Sequence, residues 1–327
     1  MIRRIAFLAA AAIVAMTLPA HAWQAKGHLM VNGLAAKGLA GHVPAFVTTP
    51  QARFEIRYLG PEPDRLKGSG TSWDSDYDPG HYIDIQDDGT VSGAVQFNAL
   101  PQSAAAYDEA LRAANTDQYR QGYLPYSLLD GWEQVREDFA YWRVDKGQTR
   151  AIDEQIILRD IGNWGHFVAD ACQPLHTTVH FNGWGDYPNP NGYTQSKTTH
   201  ALFEGEFVNR FVSEARVAAL MPHTIRLRAT GELAPQQTVL NEIDRYLLQS
   251  NSTVPRLYQI EKAGGFANGS PEAVQFTASR LAAGAAEMRD LTVWAYQDSL
   301  NESVGYPSER VRDILAGRAK WPAGANQ

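Results

Sequence analysis

The chain has one cysteine, Cys172, among its 327 residues. A single cysteine excludes an intramolecular disulfide. Long apolar runs are also missing: beyond residue 22 no stretch approaches the length needed to span a bilayer. Positive charge is scarce. Lysine and arginine total 29 against 36 acids, for a net charge of −7. That balance argues against a broad basic groove for duplex DNA. Bound cations could still create local positive charge inside an acidic protein.

The first residues read as a leader and not as fold. Met1-Ile2-Arg3-Arg4 is basic, Ile5 to Leu18 is almost unbroken apolar sequence, and Pro19-Ala20-His21-Ala22 ends in a small-x-small site. This is the pattern of a secretory signal peptide over 1–22, too short for a spanning helix. Cleavage between Ala22 and Trp23 makes Trp23 the mature N-terminus and 23–327 the functional domain. The mature chain is expected to be periplasmic or secreted. Loss of two arginines and no acid leaves 27 basic residues against 36 acids, a net charge of −9.

With 44% hydrophobic residues and ample length, the remainder can bury a large core. Helical periodicity dominates it. Helices are expected over 28–40, 103–116 (with Ser103 as N-cap), 130–145, 151–172, from Thr199 through Phe211, and over roughly 235–250 and 272–299. The helix over 151–172 should stop near Gln173, because Pro174 disfavours helix in the residue before it. Residues 177–199, rich in Gly, Pro and Asn, read as a surface loop. Residues 50–100 read as irregular, with Tyr82-Ile83-Asp84-Ile85 the one strand-like alternation. The sum is one all-α domain with long functional loops.

The chemistry concentrates in His166-Phe167-Val168-Ala169-Asp170-Ala171-Cys172-Gln173-Pro174-Leu175-His176 and in His200-x-x-x-Glu204. Residues four apart share a helical face, so His166 and Asp170 can aim at one point, as can His200 and Glu204. Imidazole–carboxylate pairs of this kind suit a divalent metal such as zinc. Two pairs plus His176 exceed the needs of one tetrahedral site and ask for a cluster. Gly162 lies one turn before His166 on the same stripe and leaves room for something bulky. Cys172 is out of phase with Asp170 and reads as a buried structural thiol. His42, His180 and His223 have no motif partner and read as surface or loop histidines.

This run resembles the signature of the zinc-dependent phospholipase C/P1 nuclease superfamily, which reads His-x-x-x-Asp-x-x-x-(x)-Pro-Leu-His and then His-x-x-x-Asp or His-x-x-x-Glu. The family's mature chain begins with Trp, matched by Trp23. A His soon follows, matched by His28. Then come a loop Asp and a His heading an aromatic-Ile-Asp run, matched by Asp64 in Pro63-Asp64-Arg65 and by His81-Tyr82-Ile83-Asp84. Asp74, Asp76 and Asp78 are rival candidates for the loop Asp. The resemblance spans 23–204 and implies three Zn2+ ions. One takes Asp64, His81, His166 and Asp170; a second takes His176, His200 and Glu204; the third takes the Trp23 terminus, His28 and Asp170. Lys67 falls where the nuclease branch carries a basic residue that stabilises charge on the phosphate, with a solvated surface lysine as the alternative. Asp64 and Lys67 are thus the residues expected nearest the chemistry.

Two hydrolase activities are implied. In the nuclease branch Tyr82 would stack on a base and Asp84 would contact its edge, a mode that favours single-stranded nucleic acid. In the phospholipase C branch the substrate would be a phospholipid head group, and Glu204 leans that way because those enzymes end in His-x-x-x-Glu. The expectation is an S1/P1-type zinc endonuclease, with phospholipase C as the alternative and a periplasmic zinc-binding protein without turnover as a third. No protein partner is implied.

Overall fold

The computed structural model of the chain describes residues 23–67, 70–227 and 236–321. The expected leader, 1–22, lies outside the described residues. The fold is all-α. Helices α1 (Gln24–Gly38), α2 (Pro50–Leu59), α3 (Ser72–Tyr77), α4 (Ala104–Ala113), α5 (Gln118–Gln121), α6 (Leu124–Val144) and α7 (Gly147–Ala171) lead into the long loop. After it come α8 (Thr199–Ala201), α9 (Val208–Phe211), α10 (Glu214–Leu220), α11 (Gln236–Asn251), α12 (Val254–Lys262), α13 (Gly265–Asn268), α14 (Pro271–Asp298) and α15 (Val311–Leu315). The strands among the described residues form two hairpins of two-residue strands, Thr90–Val91 with Val95–Gln96 and Ser303–Val304 with Glu309–Arg310.

Local chemistry sets many of the boundaries. The Thr49 and Ser270 side chains accept from Ala52 N and Ala273 N, with Pro50 and Pro271 in the first turn where proline costs nothing. Ser103 caps α4 as its sequence predicts, accepting from Ala106 N. Helix α7 ends at Ala171 and Gln173 turns extended before Pro174.

Helices α1, α2, α6, α7 and α14 pack on one another around a core that runs from Trp23 to Ala295. Trp132, Phe139, Ile157 and Ile161 are fully buried there. Each contributes about 1.5–3 kcal/mol of burial free energy. Polar pins fix the helices' relative depth. The fully buried Asn32 on α1 donates to Ile56 O on α2 at 3.0 Å and to Gly162 O on α7 at 2.8 Å. Trp164 Nε1 donates to Leu128 O, and Trp132 Nε1 to Leu291 O. No helix among the described residues is long and apolar enough to cross a membrane.

Several expectations need correction. Residues 50–100 are not irregular: α2 and α3 lie within them, and Tyr82–Ile85 forms no strand, only a single bridge from Ile85 to Val91. The short α2 has few buried positions and so little periodic signal; Ala52 and Ile56 alone face inward. Helix α1 starts four residues earlier than expected, and α6 starts at Leu124, with Pro125 in its first turn. Helices α12 and α13 were not expected; Pro255 occupies the tolerated first turn of α12. The helix from Thr199 to Phe211 is interrupted by a π-helical segment, Leu202–Phe207. The room beside Gly162 is filled by Leu59: a Cβ there would lie 2.6 Å from Leu59 Cβ, so Gly162 serves the close approach of α2 to α7.

Candidate metal centre

Eight side chains expected as ligands converge. Helix α1 carries His28. Two single-turn 3-10 segments, Pro63–Leu66 and Asp78–His81, carry Asp64 and His81. The last turn of α7 carries His166 and Asp170, and the 3-10 turn Pro174–His176 carries His176. His200 lies on α8 and Glu204 in the π-helical segment, which bring the total to eight. Their ligand atoms fall into three groups, each within 4.8 Å: His28, His166 and Asp170; Asp64, His81 and His166; His176, His200 and Glu204.

Four of the histidines share one arrangement. The Nδ1 atoms of His81, His166, His176 and His200 lie 2.6–3.0 Å from the backbone carbonyls of Asp78, Gly60, His81 and Phe181. A carbonyl only accepts, so each Nδ1 must carry the proton and donate. When each ring is neutral, its Nε2 lone pair is left facing inward. The Nε2 atoms of His81 and His166 are buried with no hydrogen-bond partner, and the Nε2 atoms of His176 and His200 face each other at 3.2 Å. Two lone pairs at that distance repel unless a proton or a metal stands between them. Anchoring one ring nitrogen on a carbonyl so that the other is free is the usual arrangement of metal-binding histidines.

The carboxylates show the same need. Asp170 is fully buried and neither oxygen has a hydrogen-bond donor. Oδ2 lies 3.3 Å from His166 Nε2 and Oδ1 lies 3.5 Å from His28 Nε2. Glu204 is fully buried, with Oε2 2.8 Å from His200 Nε2 and 3.7 Å from His176 Nε2. Burying such groups uncompensated costs several kcal/mol per charge. Burial alone would raise the Glu204 pKa, yet His200 and His176 outweigh it and hold the group at about 2. Burial would likewise raise Asp64, but His166, Lys67 and His28 hold it well below the usual carboxylate range. His81 is pushed down by burial, with Lys67 and His166 adding to the effect. Asp64 and Glu204 are thus held ionised, and although burial pulls His166 and His176 down, the carboxylates around them, Asp170 first, push both rings up. Buried carboxylates facing imidazole nitrogens in this way are a donor set that fits divalent metal.

The sharing pattern sharpens the expected division of ligands. His166 falls in two groups, but one ring nitrogen serves one ion. If His166 joins Asp64 and His81, then His28 and Asp170 are short of a donor. Trp23 lies against the segments that carry Asp170 and Glu204. It is fully buried, its indole Nε1 donates to Ala169 O at 2.8 Å, and its ring packs on Phe203, the residue before Glu204. Its carbonyl accepts the Gly27 N–H, which uses one of the oxygen's two lone pairs.

Of the rival acids, Asp74 and Asp78 line the neighbouring cleft and are not in the three groups; Asp64 is. Lys67 is not a solvated surface lysine. Its side chain is 6% exposed, and Nζ lies 3.0 Å from Asp64 Oδ1 and 3.5 Å from Asp78 Oδ1. Cys172 is buried against Gly284 of α14, with its thiol pushed up to about 12 by burial, and it is not in any of the groups. His180 is a loop histidine as expected, but a buried one. It stacks on Trp184 at 3.8 Å and lies 2.9 Å from Asp87 Oδ1.

The groups open onto a cleft of about 720 Å³ whose lining includes Lys67, His81, His176 and His200. Tyr82 and Asp84 are on its wall, both half-buried. Burial pushes the Asp84 carboxyl up to about 7. Sequence reasoning missed Tyr119, Arg120, Phe181 and Asn182 on the same wall, since none sits in a motif. It also passed over Gln173, inside the very run that drew attention. Gln173 is fully buried; its Oε1 accepts from Leu175 N at 2.6 Å, which aims Nε2 at Glu204 Oε2, 3.1 Å away.

Fold and site together define an all-α chain with three adjoining His/carboxylate groups able to hold metal ions. No protein-family model matches the chain, and no curated protein aligns with it significantly.

Proposed function

We propose that the chain is a zinc-dependent phosphodiesterase with three metal positions, acting on single-stranded nucleic acid. The observation that carries this reading is the set of four histidines anchored through Nδ1 on carbonyls, with their Nε2 atoms grouped with buried carboxylates beside a cleft. Bound divalent ions would supply activation of a water and neutralisation of phosphate charge. Asp64, His81 and His166 would hold one ion together with Asp170; His176, His200 and Glu204 a second; and His28, Asp170 and the Trp23 terminus a third.

The chain's own residues would do the rest. Lys67, pinned by Asp64 and Asp78, keeps a cation at the cleft floor, where it can stabilise negative charge on a phosphate. Tyr82 presents an aromatic ring on the cleft wall for stacking against a base. Asp84 beside it offers a carboxyl to a base edge, as a donor when protonated and an acceptor when ionised. A paired base could reach this wall only by leaving its stack, which favours single strands.

The test is to incubate zinc-loaded protein, cleaved before Trp23, with single-stranded DNA, with phosphatidylcholine micelles and with bis-p-nitrophenyl phosphate. Release of nucleotides from DNA is expected. Diacylglycerol without nucleotides would move the chain to the phospholipase C reading. Bound zinc with no turnover of any of the three would make it a binding protein.

A further inference from the structure

The outer wall of the cleft carries features that a single nucleotide on Tyr82 would leave unused. Helix α5 places Tyr119 and Arg120 there, 43% and 72% exposed. This wall is built. Asp117 caps α5 by accepting from Arg120 N, Gln121 O accepts from Asp84 N at 2.8 Å, and Tyr82 O accepts from Leu124 N at 3.1 Å. Gly122, at φ 81°, lets the chain pass so close to Tyr82 that a Cβ would lie 2.1 Å from its carbonyl oxygen. Tyr119 meets Tyr123 edge to face, and Tyr123 in turn donates to Asp76 O. The backbone bearing Tyr119 and Arg120 is therefore hydrogen-bonded to the segment that bears Tyr82 and Asp84.

Charge singles out Arg120. The cleft lining includes Asp74, Asp78 and Asp84, and its cationic side chains are Lys67 and Arg120. Lys67 is held at the floor by two carboxylates. Arg120 has only a loose contact with Asp117, 3.8 Å between Nε and Oδ2. A guanidinium at the rim beside an aromatic ring is the pairing that binds a phosphate and its base in single-stranded nucleic acid.

We infer that Tyr119 and Arg120 bind the nucleotide adjoining the one at the scissile phosphodiester, so that the enzyme selects oligonucleotides over substrates with a single phosphodiester. This rests on the nuclease reading above. The experiment compares wild type, Arg120→Gln and Tyr119→Leu on a single-stranded oligonucleotide and on bis-p-nitrophenyl phosphate, at several salt concentrations. Tyr119→Leu should lower the ratio of the two kcat/KM values by roughly five- to 100-fold, the range for one stacked base. Arg120→Gln should lower it by about fivefold, as for one exposed ion pair. It should also flatten the slope of log kcat/KM against log salt by about 0.7, one phosphate contact on a single strand. Variants with wild-type ratios and slopes overturn this inference alone. Equal losses on both substrates also overturn it, because they place the residues in the fold and not in substrate selection. A wild type inert on the oligonucleotide but active on phosphatidylcholine overturns it together with the nuclease reading.

Discussion

Asp170→Asn separates the proposed division of ligands from a simpler metal site. The two oxygens of Asp170 face different histidines, Oδ2 towards His166 at 3.3 Å and Oδ1 towards His28 at 3.5 Å. A carboxylate placed this way can serve two ions at once, whereas the two histidines that Glu204 faces, His176 and His200, belong to one group. The isosteric amide keeps the volume and removes the charge. Asp170→Asn should therefore lose two bound zinc ions and keep the one at His176, His200 and Glu204, while Glu204→Gln should lose that one alone. An ion present at about 100 times its dissociation constant adds roughly 2.7 kcal/mol to stability. Losing two removes about 5 kcal/mol of metal-linked stability, on the order of 10 °C or more in Tm for a chain of this size. Metal analysis after gel filtration counts the ions, and thermal unfolding with and without chelator reads the stability. An Asp170→Asn protein that holds as much zinc as wild type, or whose Tm responds to chelator as wild type does, would refute the shared-ligand reasoning.

Three further outcomes are expected. Asp138, 9% exposed between α6 and α7, has its carboxyl pushed up to about 7 by burial, with Asp160 beside it adding to the effect and Gln134 and Arg159 opposing it more weakly. Because the folded chain holds this proton more tightly than the unfolded one, stability falls as pH rises from about 4 to 7. Asp138→Asn should thus raise stability by about 1–2 kcal/mol at pH 8 and by little near pH 4, as read from urea unfolding. Lys67→Met should keep all the zinc but lose turnover of bis-p-nitrophenyl phosphate by 100-fold or so, the scale for one charge-stabilising group; loss of zinc instead would make Lys67 a support for Asp64. Adding one residue before Trp23 should cost the zinc ion shared by His28 and Asp170 but not the other two, and an unchanged metal content would remove the Trp23 terminus from the ligand set.

Much of the candidate site was legible because the spacing of potential metal ligands shows in sequence. His166 and Asp170, or His200 and Glu204, sit one helical turn apart, and Pro174 marks where the chain must turn to free His176. The helices with long apolar stripes, such as α7 and α14, were equally visible. Short α2 and α3 were not, because a helix of six to ten residues with two or fewer inward positions has almost no period to detect. Gly162 signalled room on its stripe, but a missing side chain in sequence does not say which neighbour, here Leu59, moves into the gap. The cleft wall of Tyr119, Arg120 and Phe181 had no sequence signal at all, since residues on separate segments become neighbours only through folding.

The sequence by itself determined the all-α class, the helix that carries the first ligand pair and the identity of the His and carboxylate set, since these follow from periodicity, capping and donor chemistry along one chain. Only the tertiary structure decided which donors meet. It brought Asp64 and His81 onto His166 and turned the lone pairs of His176 and His200 towards each other. It also buried Lys67 against Asp64 and Asp78. The physical reason is that backbone carbonyls remote in sequence, those of Gly60, Asp78, His81 and Phe181, fix each imidazole's orientation, and no local pattern records where those carbonyls will lie.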